Sequence, residues 1–331
     1  MKPRFENLIF LTNLAIPSLA ITNLAIPSLA IPSLAITSLA ITNLAIPSLA
    51  IATFAVTHLA VAEEVSPTDA VNDYLRGIRH YEAGNHLEAI DAFTAAITRD
   101  PAYADAYVYR GFVFYQQGNF EAAFSDFSNA IALDSGNPTP YLYRGLIRHE
   151  HRDESLEALL ELTEAIRLDS DSPDAYLVRG DIQSDLGNYS GAIADYNRTL
   201  QLDSRNFNAY FGLGFVRWQS GDVQGSIDAY SRAIDLKPND AITYFNRGVV
   251  YAEFEKFREA LSDFNHAIEL DETYADAYFN RGAILNNEFQ ERDRAIQNLE
   301  RAARLYKEQG NREKYELTLE YIGAISAWAE T

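Results

Sequence analysis

The sequence predicts an all-α solenoid of helix–turn–helix repeats, on the strength of two registers of small residues. Seven glycines, Gly77, Gly111, Gly145, Gly180, Gly214, Gly248 and Gly282, succeed one another at spacings of 34, 34, 35, 34, 34 and 34 residues. A second mark, usually Ala-Ile, falls at Ala96, Ala130, Ala165, Thr199, Ala233, Ala267 and Ala302, with spacings of 34, 35, 34, 34, 34 and 35. One inserted residue between Gly145 and Ala158, and another between Gly282 and Ala295, reconcile the two series. A single hairpin of this length cannot bury its own apolar face, so a period of this kind requires the units to stack.

Residues 1–62 differ in kind from the rest. Lys2, Arg4 and Glu6 are their only charged side chains, so residues 63–331 carry all of the negative excess behind a formal charge of −20. From Leu14 the chain repeats every five residues, as Leu-Ala-Ile-Pro-Ser and close variants. A positive start, an apolar stretch and Ala60-Val61-Ala62 before Glu63 fit an export signal cleaved after Ala62, swollen by pentad expansion. A retained membrane anchor is a second reading. Against it, Pro17, Pro27, Pro32 and Pro47 interrupt the run of about 20 apolar residues that a spanning helix needs. A pentapeptide-repeat β-helix is the third, disfavoured by proline where that family prefers a small residue. The export reading places the protein outside the cytoplasm, membrane-anchored if the segment is retained, and residues 63–69 read as a linker.

The repeats are bounded as 70–103, 104–137, 138–172, 173–206, 207–240, 241–274 and 275–309, with residues 310–331 as a capping helix that turns Tyr315, Leu319 and Ile322 to one side. Within each repeat, the glycine at position 8 and the alanine at position 20 let helix A and helix B approach closely. The aromatics at positions 4 and 24, such as Tyr244 and Phe264, fill the flanks. Gly84, Gly118, Gly187 and Gly221 fall between the helices, where a left-handed C-cap is easiest for glycine. Pro101 and Pro238 stop helix B. In the copy from Ala241 to Tyr274, the residues Tyr244, Gly248, Tyr251, Ala260, Phe264 and Ala267 resemble the tetratricopeptide repeat family, and the likeness runs through all seven copies. That resemblance implies a right-handed superhelix with helix A lining a concave groove that binds a protein or peptide.

Position 7 is arginine in six copies: Arg76, Arg110, Arg144, Arg179, Arg247 and Arg281. Position 23 should face it, and there stand Ala92, Asp126, Glu161, Asp195, Ala229, Asp263 and Asn298. The copy with Leu213 instead of arginine also has Ala229 instead of an acid, and the first copy offers Asp91 next door. This covariation points to an arginine–carboxylate bond inside each repeat rather than to an anion receptor.

By the resemblance, positions 5 and 9 would form an apolar strip along the groove; the alternative is that many of these side chains belong partly to the core. The candidate peptide-binding residues are Phe211, Phe215, Phe245 and Phe279, with Tyr109 and Phe112 in the second copy. Asn246 and Asn280 stand at position 6, where related proteins use asparagine to bond the backbone of a bound peptide; the alternative is that they are polar surface residues common to the family. No Lys or Arg occurs at positions 2, 5, 9 or 13, so the cations with which some family members clamp a terminal carboxylate are missing. An apolar or basic segment is the expected partner. A chain this acidic repels phosphate backbones, which argues against nucleic acid. Cysteine is absent, which excludes thiolate sites. No phosphate loop, H-E-x-x-H or G-x-S-x-G occurs, and His149-Glu150-His151 is expected to be a solvated loop. No catalytic residue, metal or cofactor is therefore expected. The reading is a binding scaffold, with an assembly factor acting through self-association as the alternative.

Overall fold

In the computed structural model, residues 67–327 are described; the pentad segment and the Ala62 cleavage point lie outside them. Among the described residues there are fifteen helices and no strand, and no helix is long and apolar enough to cross a membrane. They fall into two compact units, divided between Leu168 and Asp169.

The first unit holds three hairpins: α1 (Pro67–Glu82) with α2 (His86–Arg99), α3 (Ala104–Gln116) with α4 (Phe120–Leu133), and α5 (Pro138–Arg152) with α6 (Ser155–Leu168). Helix α1 starts within the expected linker, with a proline in its first turn and Asp69 near its positive end. The second unit holds four hairpins: α7 (Pro173–Asp185) with α8 (Tyr189–Leu202), α9 (Phe207–Gln219) with α10 (Val223–Leu236), α11 (Ala241–Glu253) with α12 (Phe257–Leu270), and α13 (Ala275–Asn287) with α14 (Arg292–Glu308). Helix α15 (Arg312–Ala327) packs against α14. It does so through Thr318, Tyr321 and Ile325, whereas Leu319 is exposed. Of the expected stripe, Tyr315 and Ile322 pack against the core as partly buried side chains; the buried positions Thr318, Tyr321 and Ile325 repeat at helical spacing, and Leu319 lies about 100° round from Thr318.

Most helix starts are closed by a side-chain acceptor. Asn119, Asn188, Asn206, Asp222 and Asp240 each accept from a backbone N–H in the first turn. The turn inside each hairpin needs one left-handed residue. Glycine supplies it at Gly84, Gly118, Gly187 and Gly221, with φ between 74° and 83°. Asp153, Glu255 and Gln290 adopt it at 55–57° in the other three.

The glycine at position 8 is where the two helices touch. A Cβ on Gly248 would stand 2.8 Å from the Phe264 ring, and on Gly77 only 2.5 Å from Phe93. In the third copy, where Leu162 replaces the aromatic and a residue is inserted, the same distance relaxes to 3.3 Å.

The position-7 arginines close onto position 23. Nε and Nη2 of Arg110, Arg179 and Arg247 each donate at 2.8 Å to the two carboxylate oxygens of Asp126, Asp195 and Asp263. Arg144 reaches Glu161 at 2.8 Å, and Arg148 shares that acid at 2.7 Å. These hydrogen bonds raise the Arg179 guanidinium above its ordinary value. Arg76 departs from expectation: it pairs with Asp73 at 2.9 Å, not Asp91, and Asp73 also takes Arg99 at 2.7 Å. Asp91 sits one residue before the facing position, about 100° round the helix, and is exposed. Where Leu213 and Ala229 replace the pair, both are buried.

The arginine has a third arm that the covariation did not suggest. Nη1 of Arg110, Arg144, Arg247 and Arg281 reaches back to Thr94, Ser128, Ser231 and Asn265, each at position 25 of the preceding repeat, at 3.0, 3.3, 2.8 and 2.7 Å. One side chain thus ties three helices.

Gly248→Val should cost about 1–3 kcal/mol by overpacking against Phe264. Gly323→Ala is its control: open space surrounds that position in α15, and the change should add up to about 1 kcal/mol of helix stability. Denaturant midpoints of both variants check this, and an unmoved midpoint for Gly248→Val would reject the close-approach account. Asp195→Asn removes one charge from a pair whose side chains are 19% and 7% exposed. It should cost about 1.5–3 kcal/mol, read the same way, and a loss below about 0.5 kcal/mol would mean that the pair behaves as a surface ion pair.

Candidate interaction surface

Helix A of each hairpin carries the sequence-predicted strip, and the structure seats most of it in the core. Phe112, Phe211, Phe215, Phe245 and Phe279 are between 1% and 8% exposed. Their rings are engaged by protein neighbours. Phe112 lies edge-on to Phe127 at 5.5 Å and to Tyr143 of the next hairpin at 4.7 Å. Phe211 meets Tyr230 at 5.6 Å, and Phe245 meets Phe264 and Tyr274 at 5.7 and 4.8 Å. Phe279 meets Tyr321 of the terminal helix, and Phe215 lies beside Trp218 and Tyr189. Helix A is flanked both by its own helix B and by neighbouring hairpins, so positions 5 and 9 face packing partners rather than open surface. These phenylalanines are therefore corrected from ligand anchors to core. Tyr109 alone among the predicted aromatics stays half-buried, within 6.3 Å of the Tyr74, Tyr81 and Phe112 rings.

Asn246 and Asn280 are fully buried, which removes them as direct contacts to a peptide backbone. The Asn246 carboxamide lies beside the Tyr230 hydroxyl, close enough to ease its ionisation but not to close a hydrogen bond of ordinary geometry. Burial dominates at Tyr230 and pushes its pKa up.

Within each unit, accessible surface remains as a ladder at the end of helix A. The residue at position 12 reaches position 13 of the following hairpin: Gln116 donates to the Tyr81 hydroxyl at 3.1 Å, Tyr115 meets Glu150, and the Trp218 indole donates to Glu253. At the last hairpin Tyr321 donates to Asn287 at 2.7 Å. The acid-and-amide border at position 13 was visible in the sequence. Its aromatic partners at position 12, set 35 residues earlier, were the signal that sequence reasoning missed.

The electrostatics are one-sided. Burial raises the carboxyls of Asp105 and Asp174 at position 2, and the neighbouring acids Asp134 and Asp203 add to it. Burial likewise raises Glu150, against the lowering effect of His149 and Tyr115. His149 and His151 lie not in a loop but in the last turn of α5. His149 Nδ1 stands 2.9 Å from Ser155 Oγ, and His151 stacks on Phe120, where burial lowers its pKa. Among the described residues no group of three His, Asp or Glu side chains is placed to hold a metal ion.

Comparisons with known proteins agree with this architecture. Family models for the tetratricopeptide repeat match residues 74–138, 180–221, 217–253 and 241–274. Among curated proteins none matches by sequence. YrrB, described as a TPR protein with an unusual peptide-binding site, is 23% identical over 57% of this chain and 97% of its own, with a TM-score of 0.51. A tetratricopeptide repeat protein from Parabacteroides merdae is 21% identical over 76% and 99%, with a TM-score of 0.56. PilF of Pseudomonas aeruginosa is 18% identical over 68% and 97%, also at 0.56. At these identities the likeness is one of fold. The chain carries tetratricopeptide repeats, matched over residues 74–138 and 180–274.

Proposed function

We propose that the chain is a non-catalytic binding scaffold that takes a basic segment with apolar side chains along its helix-A faces. The observation that carries this is the aromatic-and-acid ladder: Tyr81, Tyr115 and Trp218 are held by Gln116, Glu150 and Glu253, with no lysine or arginine at positions 2, 5, 9 or 13. Aromatic edges supply contact area at low entropic cost. The carboxyls raised by burial at Asp105, Asp174 and Glu150 are charges that a ligand cation would compensate. YrrB, similar in fold, is described as having a peptide-binding site. The export-like residues 1–62 support a workplace outside the cytoplasm.

Two sets of short fluorescent peptides with the same apolar content test the reading on the full chain, one set bearing Lys and Arg, the other Asp and Glu. The basic set should bind at least about tenfold tighter, roughly 1.4 kcal/mol. That advantage should shrink with salt and on combining Trp218→Ala with Glu253→Gln. It should also shrink on acidification: carboxyls with raised pKa take up protons at higher pH than ordinary acids, so the surface loses charge early as pH falls from neutral. Equal affinity for the two sets, or a preference indifferent to salt, sinks the proposal. Defined oligomers without peptide binding would instead favour the assembly reading.

The export reading has its own check. Amino-terminal sequencing of the protein purified from its native cell should begin at Glu63, and an intact Met1 in the mature material would refute cleavage after Ala62.

A further inference from the structure

The seventh hairpin breaks the arginine pattern in a way that leaves a donor free. In the second, fourth and sixth hairpins the arginine uses both Nε and Nη2 on one carboxylate. In the seventh the acid is replaced by Asn298. Its Oδ1 accepts Nε of Arg281 at 2.7 Å, but its Nδ2 is itself a donor and turns to the Arg294 carbonyl at 2.7 Å. Nη1 of Arg281 is taken by Asn265 Oδ1 at 2.7 Å. Among the described residues Nη2 of Arg281 has no acceptor, as is also true of Arg144 in the third hairpin, whereas Nη2 of Arg110, Arg179 and Arg247 each has one at 2.8 Å.

A pocket of about 170 Å³ opens at this point. Arg281, Arg258 and Arg294 line it against a single acid, Glu291, which is already paired with Arg294. Arg258 is exposed and has no ion pair among the described residues. Three guanidinium groups to one carboxylate is an unusual balance in a chain of formal charge −20. Burial lowers the Arg281 pKa; Tyr278, whose ring lies 5.2 Å below the guanidinium, works against this, and the nearby Arg294 adds to the lowering. The remaining wall is apolar at Leu261, Leu285 and Phe289, with the Asn265 carboxamide, already engaged by Arg281, beside them. The volume is well below the roughly 300–1,000 Å³ of pockets that enclose drug-sized ligands, so it suits a side-chain-sized group.

We propose that this pocket binds a carboxylate carried on a short apolar stem. One ligand oxygen accepts Nη2 of Arg281, completing the two-pronged bond that Asn298 leaves half made, and Arg258 compensates the charge. Leu261, Leu285 and Phe289 pack the stem. A carboxylate fits better than a phosphate for two reasons. The sister arginines hold carboxylates by this same fork, and an inorganic phosphate has no apolar part for the wall to cover. The site is built from α12, α13 and the start of α14, and it stands independently of the peptide reading proposed for helix A.

The test is an NMR titration of the arginine Nε–Hε resonances in the full chain, with butyrate and inorganic phosphate compared at matched ionic strength. Butyrate should shift the Arg281 signal saturably. Asn298→Asp installs the carboxylate of the sister repeats, so it should abolish the shift while holding or raising the melting midpoint. Arg258→Gln, at an exposed position that leaves the fold untouched, should weaken butyrate at least about threefold. A missing or unsaturable butyrate shift, the same shift in Asn298→Asp, or phosphate binding as tightly as butyrate would each overturn the proposal.

Discussion

The structure depends on how closely helix A can approach helix B, and that distance is set by one glycine under one ring. With a Cβ-to-ring distance of 2.5–2.9 Å at Gly77, Gly111, Gly180, Gly214 and Gly248, no side chain larger than hydrogen fits without moving an aromatic at the centre of the hairpin. Everything else in the repeat is placed by that contact. It brings position 7 opposite position 23, so that a guanidinium can grip a carboxylate, and it lowers the ring at position 24 into a fully enclosed site. Where the ring is Leu162 or Leu299, the hairpin is also the one that accommodates an extra residue near its turn. A smaller side chain at position 24 and a longer connection occur together because the pair is less tightly keyed.

The second constraint is polar. A buried aspartate costs stability unless its charge is matched and its lone pairs are used. The arginine meets that condition for Asp126, Asp195 and Asp263 with two bonds, and Arg110 and Arg247 direct a third to the preceding repeat. An apolar replacement is equally consistent, as Leu213 against Ala229 shows, but it forgoes that third bond. Van der Waals contact therefore holds the hairpin together, and the arginine adds a directional tie between neighbouring hairpins that apolar packing does not supply.

Much of this was legible in the sequence. The 34-residue registers of Gly and Ala located every hairpin, and covariation at positions 7 and 23 found the ion pairs, because both are strict consequences of periodic contact. The misses share one cause. Helical spacing says which side chains lie on a common face, but not what covers that face. Phe211, Phe245 and Phe279 do align, yet neighbouring rings cover them. Leu319 reads as part of an apolar stripe, yet Thr318 takes the buried place, its hydroxyl bonded to the Lys314 carbonyl. Asp91 is adjacent in sequence to the facing position but points elsewhere on the helix.

That difference changes the chemistry of the accessible face. A groove lined by five phenylalanines would bind by apolar burial and be nearly indifferent to salt. With those rings withdrawn into the core, a partner of the kind proposed would meet the polar edge of aromatics: tyrosine hydroxyls and an indole N–H already engaged with amides and acids. Such a surface gains less from burying hydrocarbon and more from compensating charge. Its selectivity should then rest on the partner's cations and its strength on ionic conditions. The cost of this arrangement falls on the core, which keeps Asn246 enclosed beside Tyr230 without an ordinary hydrogen bond. A consensus polar residue is retained there although no ligand can reach it. Its surroundings, rather than a bound peptide, therefore set its role: it is enclosed at 0% exposure in the core, beside the Tyr230 hydroxyl.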